Sequence, residues 1–268
     1  FKKFWAFIKA LKRDHSGVAP LKHQGNLETS PIGKASALNH QFKSVFVEEG
    51  DSAVPSKGPS PYTSINNINI TEPGVAKLLN NLNTNKAGGP DEINAKILKE
   101  LKSEIAPFLT YLFQISLDTG SVPSDWKNAN VTPIFKKGER YVPSNYRPVS
   151  LTCITCKLME HIIVSHLMKH AENNDIFYNL QFGFRSNRSG DVQLLQLYHD
   201  LAYNVHKSKQ TDVLVMDFAK AFDTVPHKRL LYKLDWYGVR GNITNWISAF
   251  LSDRNQRVIV DGYHSDWT

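Results

Sequence analysis

Apolar residues recur along this chain mostly at helical spacing. Val75, Leu78, Leu79 and Leu82 lie three and four apart behind Thr71, a side chain suited to capping a helix start. A Gly88-Gly89-Pro90-Asp91 turn leads into helical patterns over residues 94–101 and 105–117, with Gly120 as their stop. Met159, Ile163 and Leu167 at spacing four predict a helix over residues 157–170, and another is predicted over 191–205. Pro226 opens and Gly238 closes a further helix. Ile243, Trp246, Ile247, Phe250 and Leu251 then form the clearest stripe, which reads as a core face.

Strand signals are shorter. A β-branched run over residues 130–135 precedes Lys136-Lys137-Gly138. Residues 257–260, an Asp261-Gly262 turn and residues 263–267 predict a hairpin. Val213-Leu214-Val215-Met216 is wholly apolar, which predicts a strand buried on both faces and ending on Asp217. Before residue 71 the pattern weakens. Residues 1–15 alternate apolar and basic side chains at helical spacing, and Gly, Pro, Ser and Asn then dominate residues 16–64 around a helical piece at 34–46. Residues 1–70 therefore read as a loosely packed extension and residues 71–268 as the ordered domain. Phe1-Lys2-Lys3-Phe4-Trp5 reads as a chain already under way, cut from something longer.

Composition changes this picture in three respects. An apolar share of 41% is enough for a sizeable core and argues against global disorder. A net charge of +7 suits a polyanionic partner without identifying it. Two cysteines point away from a disulfide scaffold and to a reducing, intracellular compartment. No apolar run approaches the ~20 residues of a membrane span, so no membrane partner is expected.

The candidate chemistry lies around Asp217. A carboxylate ending a buried strand is costly to keep charged unless a cation or hydrogen bonds meet it. Five residues on, Phe222 can stand beside the same site as an aromatic wall. Spacing alone leaves the alternative open in which Asp217 caps a helix and Phe222 belongs to the core.

Asp217-Phe218-Ala219-Lys220-Ala221-Phe222-Asp223 with Val225-Pro226-His227 resembles the first palm motif of reverse transcriptases of the non-LTR (LINE-type) retrotransposons. Other stretches resemble that family in its own order. They are Lys86-Ala87-Gly88-Gly89-Pro90-Asp91, the fingers motifs Pro133–Gly138 and Asn145–Leu151, and Gln181-Phe182-Gly183-Phe184-Arg185 with Arg188-Ser189. The resemblance runs from residue 71 to the end and, with less specific motifs, over residues 1–70.

The resemblance implies an α+β fold: right-hand polymerase fingers and a partial palm, behind a helical, basic N-terminal extension. The palm sheet would be antiparallel and lack its central hairpin. The implied activity is RNA-directed DNA synthesis on an RNA template and DNA primer, in which the primer 3′-hydroxyl attacks a deoxynucleoside triphosphate with two Mg²⁺ ions. Asp217 matches the first metal-binding aspartate, and the Phe218 carbonyl would be a further ligand. Phe222 matches the gate that crowds a ribose 2′-hydroxyl. Arg147, with Lys136 or Lys137, matches residues that hold the triphosphate, a job suited to a planar guanidinium. Arg185 and Arg188 would lie against the template or support the palm. Asp223 reads as a helix cap.

The sequence also departs from the family. It contains no Asp-Asp pair and no Glu after Glu172, so one catalytic carboxylate is present where two metals need more. Gly74 stands where a Glu could form a capping box with Thr71, and Glu92 where the family usually has Gly. A fragment inactive alone is therefore expected. The alternatives are a non-catalytic remnant that binds nucleic acid through its basic surface, and an inert, unstable fragment. Cys153, Cys156, His161 and His166 have spacing close to that of a zinc knuckle. The interval lacks glycine and its apolar period is helical, so buried thiols and ordinary helix histidines are expected instead.

Overall fold

The computed structural model describes residues 17–47, 49–50, 53–65 and 67–268, so the basic helical face at residues 1–15 lies outside the described residues. Residues 21–43 form β1 (Leu21–His23), β2 (Asn26–Glu28) and α1 (Pro31–Lys43). Ser30 caps α1, its hydroxyl accepting from the Gly33 amide at 3.1 Å. Loose packing, expected from composition, does not describe this segment. Ala35, Leu38 and Phe42 form one helical stripe and pack with Val131, Tyr146 and Val258 in a shared core. The polar residues of α1 are held as firmly. Lys34 Nζ donates to the Val18 carbonyl and pairs with Asp261 at 3.0 Å, and the Asn39 amide donates to Ser265 Oγ, 226 residues downstream.

Five helices supply buried residues to the larger core: α2 (Glu72–Asn80), α3 (Ala95–Glu100), α4 (Lys102–Thr119), α5 (Ile154–Asn173) and α8 (Asn242–Leu251). Val75 and Leu79 of α2, Phe113 of α4, Met159 of α5 and Trp246 of α8 meet there. Burial of each such side chain contributes about 1.5–3 kcal/mol. Gly120, at φ +63°, ends α4 as expected. Thr71 precedes α2 but makes no side-chain cap bond, in keeping with Gly74 three residues on. Gly89 has a packing reason: a Cβ there would come within 2.5 Å of the backbone at Thr152 and Cys153. Glu92 adopts φ +57°, a left-handed conformation that costs a non-glycine residue about 1–2 kcal/mol.

The two cysteines lie at the start of α5, fully buried. Cys153 Sγ donates to the Asp125 carbonyl at 3.3 Å, while His161 and His166 are exposed. Among the described residues no group of three or more His, Cys, Asp or Glu is placed to hold a metal. Burial pushes the Cys153 thiol up to about 11 and raises Cys156 as well. Both stay protonated at pH 8, and the thiol is the unreactive form. Native protein should therefore resist iodoacetamide at pH 8 and take up two equivalents once unfolded, read by mass spectrometry. Rapid native labelling would place the thiols outside the core.

A four-stranded sheet has the order β4-β3-β5-β6, from β3 (Asn128–Phe135), β4 (Tyr146–Leu151), β5 (Asn255–Val260) and β6 (Tyr263–His264). The pairs β3–β4 and β5–β6 are antiparallel, but β3–β5 is parallel. The long helical connection between β3 and β5 allows this parallel crossover, and the antiparallel palm sheet expected around residues 213–216 is not formed by the described strands. Residues 213–216 are not a strand: they form no ladder, and Leu214, Val215 and Met216 are more than four-fifths exposed. An apolar run becomes a strand only when a neighbour takes its amides and carbonyls, and no described strand lies beside this one. No helix among the described residues is long and apolar enough to cross a membrane. The remaining helices, α6 (Gly190–His206) and α7 (His227–Trp236), flank the 213–216 run on either side in the chain.

Candidate functional site

A cleft of about 770 Å³ lies at the β4 edge of the sheet. One wall is the β3–β4 hairpin, with Lys136, Tyr146 and Arg147; another is Gln41, Phe42 and Val45 at the end of α1; the third is the loop 217–223.

The hairpin is stiff. The Lys136 amide donates to the Asn145 carbonyl at 2.9 Å, and Tyr146 Oη donates to the Arg140 carbonyl at 2.7 Å. Gly138 sits at φ +87°, where a Cβ would come within 2.7 Å of the Asn145 side-chain Nδ2. Phe135 and Tyr146 rings meet edge-on at 5.5 Å, and burial raises the Tyr146 hydroxyl above its ordinary pKa. Ile134 pairs with Arg147 across the ladder, and side chains alternate along a strand, so Lys136 falls on the face of Arg147 and Lys137 on the other. Lys136 lines the cleft; Lys137 does not. Neither Lys136 nor Arg147 makes an ion pair among the described residues.

The loop 217–223 supplies the acids and the rings. Asp217, Phe218, Phe222 and Asp223 all line the cleft. The turn is closed by the Asp223 and Thr224 amides donating to the Lys220 carbonyl at 3.0 and 3.1 Å. Asp217 makes no side-chain hydrogen bond or ion pair among the described residues, and Phe222 is 80% exposed, its ring 6.2 Å from that of Phe184. Neither residue is a helix cap or a core residue, so spacing's other reading fails for both. Asp223 is not a cap either. Helix α7 begins four residues later behind Pro226, and its first amides are capped from elsewhere. Glu49 accepts from the Lys228 and Arg229 amides at 2.7 and 3.2 Å. Desolvation works against its charged form, and those two amides outweigh it and hold the carboxyl below its usual range.

Arg185 and Arg188 stand outside the cleft. Arg185 forms a two-pronged pair with Glu172, Nε to Oε1 at 3.1 Å and Nη2 to Oε2 at 2.8 Å, which holds the Glu172 carboxyl below its usual range. The Arg188 guanidinium lies 5.2 Å from the Phe182 ring centre. The cleft thus unites Asp217, Phe218, Phe222, Lys136 and Arg147. It adds residues that sequence reasoning missed: Asp223 as a second lining carboxylate, and the end of α1 as a wall. Nothing local signals the α1 contribution.

The profile of the family "Reverse transcriptase (RNA-dependent DNA polymerase)" matches residues 134–266. The chain is 31% identical over 198 residues to the RNA-directed DNA polymerase from mobile element jockey of Drosophila melanogaster, covering 73% of this chain and 21% of that protein. It is 25% identical over 276 residues to the probable RNA-directed DNA polymerase from transposon BS of the same fly, covering 97% and 30%. It is 29% identical over 147 residues to the Pol polyprotein of type-1 retrotransposable element R2 of Popillia japonica, covering 55% and 20%. The chain thus spans between a fifth and a third of the length of these relatives.

Proposed function

With residues 134–266 as its reverse transcriptase domain, the chain belongs to the polymerases of non-LTR retrotransposons, and on that premise we propose that its cleft is the nucleotide side of a polymerase site. Residues 71–268 would be the fingers and first part of the palm, and residues 1–70 an extension whose α1 walls the cleft. The carrying observation is that Lys136, Arg147, Asp217, Phe218 and Phe222, up to 86 positions apart in the sequence, line one cavity. Lys136 and Arg147, without an ion pair among the described residues, line this cleft, and charge-assisted hydrogen bonds to phosphate are the strong kind. Lys136 and Arg147 hold the triphosphate, and Phe222 crowds the sugar where a 2′-hydroxyl would sit. RNA template and DNA primer are the polymeric partners. Arg188, its guanidinium over the Phe182 ring, lies against the template in this reading, whereas the Glu172 pair fits Arg185 to a supporting role.

Polymerases of this family generally use divalent metal ions, and we assign the ion here to Mg²⁺. The Asp217 carboxylate and the Phe218 carbonyl offer hard oxygen donors, the class that Mg²⁺ takes together with substrate phosphates. A bound ion would offset charge on the triphosphate. One ion suits this donor set.

The cleft reading is tested by titrating a fluorescent deoxynucleoside triphosphate with the chain. Lys136→Ala with Arg147→Ala should weaken binding at least tenfold, since each charged hydrogen bond contributes about 1.5–3 kcal/mol. Equal affinity in the double variant would sink the assignment.

A further inference from the structure

Phe222 stands at the wall of the cleft with little packed around it. Its ring is 80% exposed and sits on a loop, where a side chain changes rotamer within nanoseconds. A wall that swings aside excludes no hydroxyl, so sugar selection needs a second group to fix the ring. Among the described residues the aromatic ring that meets it is Phe184, edge-on at 6.2 Å with an 84° interplanar angle. Phe184 does not itself line the cleft.

The loop that carries Phe184 is tied down at several points. Phe182 is buried, with the Arg188 guanidinium over its ring. The Gln181 amide donates to the Tyr178 carbonyl at 2.9 Å, and its side chain donates to the Gly183 carbonyl at 3.2 Å. Arg185 engages every guanidinium nitrogen: Nε and Nη2 on the Glu172 carboxylate, and Nη1 on the Tyr178 carbonyl at 3.2 Å. Its guanidinium also lies 5.2 Å from the Phe177 ring centre. Glu172 belongs to the last turn of α5, a helix whose Met159 and Ile163 sit in the larger core. Between these anchors Phe184 adopts φ +60°, a left-handed backbone that is uncommon outside glycine and persists where the surroundings impose it. That conformation brings no burial, since Phe184 is 83% exposed; what it brings is the contact with Phe222.

We propose that Phe184 is a positioning residue for sugar selection: it backs the Phe222 ring, and the Glu172–Arg185 fork carries the rigidity of α5 to that contact. The inference rests on the reading of Phe222 as the residue that crowds the sugar, and adds the device that keeps it in place. An edge-to-face pair sets the positive edge of one ring on the negative face of the other, which fixes both position and tilt. Losing one ring releases the other and leaves Lys136 and Arg147 as they were. Affinity for a deoxynucleotide is then kept while discrimination falls.

The test is competition of an unlabelled deoxynucleoside triphosphate, and of its ribonucleoside counterpart, against a base-labelled fluorescent deoxynucleoside triphosphate. It uses residues 1–268 with Mg²⁺, with thermal melting alongside, and reads the ratio of the two affinities. The unsubstituted chain should favour the deoxy form. Phe184→Leu, which keeps apolar volume without a ring, should lower that preference about two- to tenfold, the strength of one aromatic pair. Its deoxynucleotide affinity and Tm should stay at the parent values. Phe184→Tyr retains the ring and should retain the preference, whereas Glu172→Gln weakens the fork and should lower it. In a Phe222→Val background, Phe184→Leu should change the preference no further, because the contact is already gone. A merely structural Phe184 would instead lower Tm and both affinities together. Unchanged preference in Phe184→Leu, with preference lost in Phe222→Val, would overturn the backing role and leave the Phe222 reading standing. No preference in the unsubstituted chain, or full preference in Phe222→Val, would remove both.

Discussion

Residues 1–268, assayed alone on a primed homopolymer RNA with Mg²⁺ and deoxynucleotides, should show no template-directed incorporation. Two physical facts lead there. A two-ion clamp on attacking and leaving oxygens needs several carboxylates held on a rigid support. The cleft offers Asp217 and Asp223, both on one loop, and the sequence has no Asp-Asp pair to add. The support is missing too, since the residues ahead of Asp217 form no ladder and stand in solvent. Catalytic groups must sit within about 0.5 Å of productive geometry, which a loop tethered at one side does not ensure. The proper comparison is with Asp217→Asn, which should give the same blank. Mg²⁺-dependent extension by the unsubstituted chain, abolished by that substitution, would show that one loop suffices and refute the argument.

Trp246→Ala should be the most damaging single substitution for stability. Trp246 is 2% exposed, stacks on Phe250 at 5.1 Å with an 11° interplanar angle, and its Nε1 donates to the buried Ser116 Oγ at 2.9 Å. It joins α8 to α4, whose Gly120 lets the two helices approach: a Cβ there would lie 2.8 Å from the Asn245 Cβ on α8. Removing the indole leaves a cavity that such close-packed helices cannot close. Tryptophan-to-alanine changes of this kind cost about 3–5 kcal/mol, and for a chain of this size each kcal/mol lowers Tm by about 2–4 °C. A fall in Tm of about 6–20 °C by circular dichroism is expected. Trp246→Phe should fall much less, losing chiefly the hydrogen bond at about 0.5–1.5 kcal/mol. If alanine at 246 melted within a degree of the parent, α8 would not be part of the core.

Helices were the legible part. The stripes at 75–82, 159–167 and 243–251 are local, so period and caps sufficed to place them within a few residues of α2, α5 and α8. The motifs that resemble the family singled out Asp217, Phe222 and Arg147, and the structure lines one cleft with all three. Their meeting could not be seen, and neither could the choice between Lys136 and Lys137, which rests on the pairing of Ile134 with Arg147.

What the sequence by itself determined was local: where helices run, which side chains the family resemblance singles out, and the positive charge that suits a polyanion. Only the tertiary structure decided the partners. Ala35, Leu38 and Phe42 fall in the helical piece read at 34–46, and their stripe acquired its meaning only from Val131, Tyr146 and Val258 on three strands. The run at 213–216 has every property of a strand except a neighbour, and a strand's hydrogen bonds belong to two segments at once. Helical bonds close within four residues and are written locally, whereas ladders and clefts join residues far apart in the chain, so their geometry exists only after folding.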